Sequence, residues 1–201
     1  MLLLLDHFGV LVFAISGMLT AADRNLDVLG GYIIAFITAL GGGTIRDLLL
    51  NVDIAWMGSL THLITVFVGG SVGLFFQGRL KRLRRTFFIF DTLGIAIFTI
   101  LGVQKGIESE QFAVTAIFLG MISATFGGLT RDVLCNEIPL IFRKEIYAIP
   151  CLIGGTIYFF GDFLSFGGQP WLIWSSAVFI ALFRTLAVIF SWKLPLIKEL
   201  N

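Results

Sequence analysis

Charge is what this chain has least of. Only 13% of its 201 residues are Asp, Glu, Lys or Arg, about half the share in a soluble domain. The charges sum to +1, which leaves no basic surface for nucleic acid. Histidine and cysteine number two each. Cys135 and Cys151 lie sixteen apart with no CxxC, so neither a disulfide framework nor a metal cluster is expected. No nucleophile–base–orienter set is visible either, so an enzyme with catalytic residues or a bound cofactor is not expected. The polar stretches that would build an extramembrane domain are absent too.

Apolar residues fill the space. They make up 57% of the chain, and the mean hydropathy is +0.96. Seven apolar segments lie near 3–21, 30–50, 60–77, 87–104, 112–135, 146–163 and 171–192. Most reach the roughly 17–25 residues of a spanning helix. The expectation is an all-α polytopic membrane protein of seven transmembrane helices. The first segment has no positive flank and reads as part of the fold rather than as a signal peptide.

The chain repeats itself. Residues 42–51 (Gly-Gly-Thr-Ile-Arg-Asp-Leu-Leu-Leu-Asn) return at 127–136 as Gly-Gly-Leu-Thr-Arg-Asp-Val-Leu-Cys-Asn, an offset of 85 that holds without a gap. At the same offset Asp6 meets Asp91, Gly9 meets Gly94, Phe13 meets Phe98, Gly17 meets Gly102, and Gly69-Gly70 meet Gly154-Gly155. Matches on Gly, Asp, Arg and Asn exclude chance apolar similarity. Each copy holds three segments, an odd number, so the second is expected to cross the membrane inverted. The divisions are 1–85, 86–168 and a third part, 169–201, with the seventh helix.

Cations set the orientation. Arg79, Lys81, Arg82, Arg84 and Arg85 crowd the loop between the repeats, which is therefore expected to be cytoplasmic. Counting outward puts Arg24, Arg143, Lys144, Lys193 and Lys198 inside and only Lys105 outside. That gives an exterior amino terminus and a cytoplasmic carboxyl terminus in the cell's inner (plasma) membrane. Trp56, Trp171, Trp174 and Trp192 sit near segment ends, as interfacial aromatics do. The basic run is an orientation signal first and a candidate site for anionic lipid headgroups second.

Candidate functional residues lie at the repeated motif. Gly41, Gly42 and Gly43 fall within segment two, and Gly127 and Gly128 within segment five. Consecutive glycines each cost about 1 kcal/mol in a helix, so helices two and five are expected to break there, freeing carbonyls and amides. Thr44-x-x-Asp47 has capping-box spacing and suits a helix restart; Thr130 lies in the second copy. Gly69-x-x-x-Gly73 reads instead as a packing surface. Arg46, Asp47, Arg131 and Asp132 each cost on the order of 3 kcal/mol at mid-membrane. Adjacent residues on a helix do not face each other, so reciprocal pairs are expected, Arg46 with Asp132 and Arg131 with Asp47. Arg184, deep in segment seven, needs a carboxylate or a lipid headgroup. Asp6 and Asp91 are interfacial or line the path, and His7 and His62 are boundary residues.

Gly-Gly-Gly-Thr-Ile-Arg-Asp at 41–47 and Gly-Gly-Leu-Thr-Arg-Asp-Val-Leu at 127–134, on a three-plus-three-plus-one layout, resemble the prokaryotic branch of the trimeric intracellular cation (TRIC) channel family over nearly the whole chain. The resemblance implies a homotrimer in membrane lipid, with a potassium-permeable pore in each subunit bounded by segments two and five. The same inverted build also suits a secondary carrier, and an arginine beside an aspartate suits a small zwitterion such as glycine. A third reading makes the charged quartet purely structural, holding the two repeats together.

Overall fold

The structure is a computed structural model that describes residues 1–80, 84–143, 146–166 and 169–194. Among the described residues seven α-helices follow one another: α1 Leu2–Asp23, α2 Val28–Leu49, α3 Leu60–Leu80, α4 Arg84–Glu108, α5 Ala113–Leu134, α6 Ile149–Gly161 and α7 Pro170–Ile189. A 3₁₀ turn at Leu140–Phe142 precedes α6, and a π turn at Asp162–Phe166 follows it. By length and composition α1, α2, α5, α7 and the Phe87–Glu108 part of α4 suffice to cross a membrane. The apolar parts of α3 and α6 are shorter. Large apolar side chains such as Leu4, Phe75 and Phe112 face outward, as they do where lipid rather than water is the solvent.

The offset of 85 carries through to the backbone. Helix α2 shifted by 85 is α5, bound for bound. The helix ends repeat as well: left-handed Asn25 and Glu110 close α1 and α4, and left-handed Asn51 and Asn136 close α2 and α5. Each is followed by the same six-residue closure, for instance Val52 N to Asp47 O at 3.0 Å and Glu137 N to Asp132 O at 2.8 Å. At the start of α2, the Asp27 carboxylate accepts from Gly30 N at 2.7 Å, a side-chain cap.

Contacts between the halves are reciprocal, as a twofold relation requires. Phe13 stacks on its repeat equivalent Phe98 at 5.2 Å. Gly9 lies under Phe98, and Gly94 under Phe13. At the α2–α5 crossing, a Cβ on Gly42 would fall 2.0 Å from Ser123 O, and one on Gly127 would fall 2.2 Å from Thr38 O. Only glycine admits backbones so close.

This geometry corrects one expectation. Helices α2 and α5 run without interruption through Gly41–Gly43 and Gly127–Gly128, so their carbonyls stay within the helices. The glycines are there for the neighbouring helix, and the close packing offsets their propensity cost. Thr44 starts no new helix; its hydroxyl donates back to Leu40 O at 2.8 Å. Gly69 and Gly73 pack against α1 at Ala14 and Met18, as the small-residue spacing leads one to expect.

Helix α7 lies outside the pairing and packs on α4 and α6. It fits Ile180 over Gly154 and Leu172 over Gly161, and so carries Arg184 into the second half of the molecule.

Candidate functional site

Both Arg-Asp pairs stand in the last turn of their helix, and both make the same internal bond. Arg46 Nε donates to Asp47 Oδ1 at 2.8 Å, and Arg131 Nε to Asp132 Oδ1 at 2.9 Å. The second carboxylate oxygen accepts a backbone amide eight residues on: Ala55 N at 3.2 Å in the first copy, Leu140 N at 3.0 Å in the second. Each aspartate thus fastens the chain leaving its helix. The expected crossed pairs, Arg46 with Asp132 and Arg131 with Asp47, do not form. The arginine side chain is long enough to curl back onto the neighbouring carboxylate, which the spacing rule for short side chains does not capture.

Beyond that shared unit the two copies differ. In the second, Arg131 Nη1 donates to Ser16 Oγ at 2.8 Å and to Asp91 Oδ1 at 3.0 Å. Arg184 of α7 stands 2.8 Å from the other oxygen of Asp91. Phe87 lies under Arg131 at 4.7 Å, and Tyr147 under Arg184 at 4.4 Å. Asp91 and Arg131 have no exposed surface, and Arg184 has 2%. Two carboxylates therefore balance two guanidinium groups in a buried, aromatic-walled site.

In the first copy Asp6 takes the place of Asp91, and His62 that of Tyr147. No arginine of α7 reaches this side. His62 Nε2 lies 2.6 Å from Asp6 Oδ2, and Arg46 has only a long 3.5 Å contact to Ser123 Oγ beyond its aspartate. Trp56 Nε1 donates to Thr44 Oγ1 at 2.9 Å. Asp6, Thr44, Arg46, Asp47, Trp56 and His62 line a cavity of about 20 Å³, room for a single water-sized occupant. Two carboxylates, Asp6 and Asp47, here stand beside one guanidinium, with the His62 ring against Asp6.

Sequence reading named Arg46, Asp47, Arg131, Asp132 and Arg184, and the structure groups them as Arg46–Asp47 on one side and Arg131–Asp132–Arg184 on the other. Gly43 and Thr44 line the cavity, whereas Gly42 and Gly127 lie in the helix crossing. Gly41 stands beside Gly127 there, and Gly128 beside the Tyr147 hydroxyl. Thr130 donates to Phe126 O within its own helix. The parts that sequence reading missed are Asp91 as the common partner of two arginines, and His62 and Tyr147 as repeat equivalents; the offset of 85 was the signal for both. Lys81, Arg82, Lys144 and Lys198 lie outside the described residues, as do the side chains of Arg79, Arg84 and Arg85.

A family model described as "Glycine transporter" matches this chain twice, over residues 3–78 and 88–162. The UPF0126 membrane protein of Vibrio cholerae is 35% identical over 198 residues, 98% of this chain and 82% of that protein. The UPF0126 inner membrane protein YadS of Escherichia coli K12 is 38% identical over 156 residues, covering 77% and 75%. Among solved structures, the TRIC trimeric intracellular cation channel orthologue from Rhodobacter sphaeroides superposes with a TM-score of 0.88 at 28% identity, covering 94% of this chain and 98% of that one. That neighbour is a membrane channel and not an enzyme. The chain is accordingly a multi-pass membrane protein that belongs to this duplicated three-helix family, described by its model as glycine transporter and represented in structure by the prokaryotic TRIC channels.

Proposed function

We propose that the chain is a cation channel, with potassium as the permeating ion and a separate pore in each subunit of a homotrimer. The observation that carries this reading is the charge imbalance between the half-sites. The Asp6–Arg46–Asp47 side holds one carboxylate more than it needs beside a water-sized cavity, a local potential that draws in cations. The TRIC neighbour supports the same reading, as its name makes it a trimeric cation channel.

In this reading the amino terminus is exterior and the carboxyl terminus cytoplasmic. The three parts 1–85, 86–168 and 169–201 act as two inverted halves and one added helix. The Asp6–Arg46–Asp47 half-site then faces outward as the entrance. The Asp91–Arg131–Asp132–Arg184 half-site faces the cytoplasm as a closed gate, opened when α7 draws Arg184 away from Asp91. Gly43 and Thr44 belong to the entrance wall; Gly41, Gly42, Gly127 and Gly128 let α2 and α5 pack; Thr130 steadies α5 beside Arg131. The basic loop at Arg79, Lys81, Arg82, Arg84 and Arg85 rests on anionic lipid headgroups.

The second reading, a carrier for a small zwitterion such as glycine, is favoured by the description of the matched family model and by the pairing of a cation and an anion at Arg46 and Asp47. Planar-bilayer recording of purified protein under a potassium chloride gradient separates the two. Discrete openings that reverse near the potassium equilibrium potential are expected of the channel. Electrical silence from folded protein, together with saturable glycine uptake into proteoliposomes, contradicts it.

A further inference from the structure

Two histidines stand apart from the arginine–carboxylate balance, and they stand together. The rings of His7 and His62, at the starts of α1 and α3, approach to 4.6 Å between centroids at 33°. Asp6 completes the group: one ligand atom from each of the three residues lies within 4.8 Å of the others. The sequence offers no clustered histidines; the fold makes the cluster from residues far apart in the chain.

The hydrogen bonds fix where the free lone pairs are. His7 Nδ1 lies 2.8 Å from Leu3 O, a carbonyl that only accepts, so Nδ1 carries the proton. Nε2, on the opposite edge of the ring, lies 3.0 Å from the Thr61 hydroxyl and is the nitrogen left for a ligand. His62 gives Nε2 to Asp6 Oδ2 at 2.6 Å. Its Nδ1 is buried with no hydrogen-bond partner among the described residues, in a side chain only 6% exposed.

We propose that Asp6, His7 and His62 form a binding site for a divalent transition ion of the zinc class. Two imidazoles and one carboxylate are a donor set that zinc and its neighbours take with a fourth position open to water. The carbonyl on His7 Nδ1 is the kind of second-shell bond that orients a metal-binding histidine, while His62 Nε2 and Asp6 Oδ2 already face each other at 2.6 Å. Donors around a tetrahedral ion stand about 3.3 Å apart, so the remaining closure falls to side-chain torsions at His7 and His62. The Thr61 hydroxyl marks the position the ion takes beside His7. Magnesium, which demands octahedral oxygen ligands, fits this set poorly.

The test is binding itself, so its outcome does not depend on whether the chain conducts. Full-length protein, purified with any polyhistidine tag removed, is titrated with zinc by calorimetry and with cobalt by visible absorption. One ion per chain is expected, in the micromolar range, undisturbed by excess magnesium. His7→Ala should weaken zinc binding by about tenfold or more. His7 is half-exposed, so this variant is expected to fold, and its elution in gel filtration verifies that. Lack of saturable binding, or a folded His7→Ala protein that binds as tightly as its parent, overturns the proposal.

Discussion

The repeat built the same Arg-Asp unit twice, then surrounded the copies differently. Around Arg131 stand Asp91, Phe87 and Tyr147 of the second half and Arg184 of α7, and every charge is matched and buried. Around Arg46 the first half supplies Asp6 and His62, and the site keeps a cavity and a surplus carboxylate. Duplicated sequence thus gives one site in which the charges are paired and buried and one that keeps a cavity beside its carboxylates. The difference comes in part from α7, which lies outside the repeat and brings its arginine to one copy only, and in part from His62 standing where the second copy has Tyr147.

The largest effect that would break this comparison comes from removing the shared partner in the buried half. Asp91→Asn leaves Arg131 and Arg184 buried with too little compensation, a loss expected on the order of 3–5 kcal/mol. Thermal unfolding in detergent should show a large drop, and Asp91→Asn with Arg184→Met should lose less than the sum of the singles. The matching Asp6→Asn, where the side chain is 23% exposed, should cost about 1 kcal/mol or less. Equal losses in the two halves would erase the distinction.

A smaller and more local effect sharpens the role of the glycines. Gly42→Ala puts a methyl group 2.0 Å from Ser123 O, whereas Gly43→Ala meets nothing nearer than 3.7 Å, the tip of Arg46. Gly42→Ala should cost about 1–3 kcal/mol by overpacking. Gly43→Ala should be neutral or stabilise by up to about 1 kcal/mol through helix propensity. Equal tolerance at both positions would bring back the broken-helix reading. The smallest effect is expected at the cavity wall, where Trp56→Phe removes one hydrogen bond to Thr44 for about 1 kcal/mol.

The seven helices and the duplication were legible in sequence, because apolar length and exact spacing need no neighbour to be read; the helix ends were legible only to within a few residues. What the glycines do was not legible, since a run such as Gly41–Gly43 serves a break or a close approach equally well until the facing helix is known. The Arg46–Asp47 bond was hidden by a rule about facing residues that a long, flexible guanidinium escapes. Asp91 was legible as a repeat partner of Asp6, but its two arginines come from α5 and α7 and are assembled only by the fold. His62 and Tyr147 went unread: the offset of 85 pairs them, but the residue types differ and hide the match, and that difference gives one half a polar ring at a cavity and the other an aromatic wall.

The central claim is that the surplus carboxylate of the first half makes the path cation-selective. Its most direct test is the reversal potential of Asp6→Asn beside the parent protein, in bilayers under a potassium chloride gradient, with folding of both checked by thermal unfolding. Asp6→Asn should shift reversal away from the potassium equilibrium potential toward zero and lower the unitary current severalfold, at nearly unchanged stability. A folded Asp6→Asn channel with unaltered reversal and conductance would contradict it.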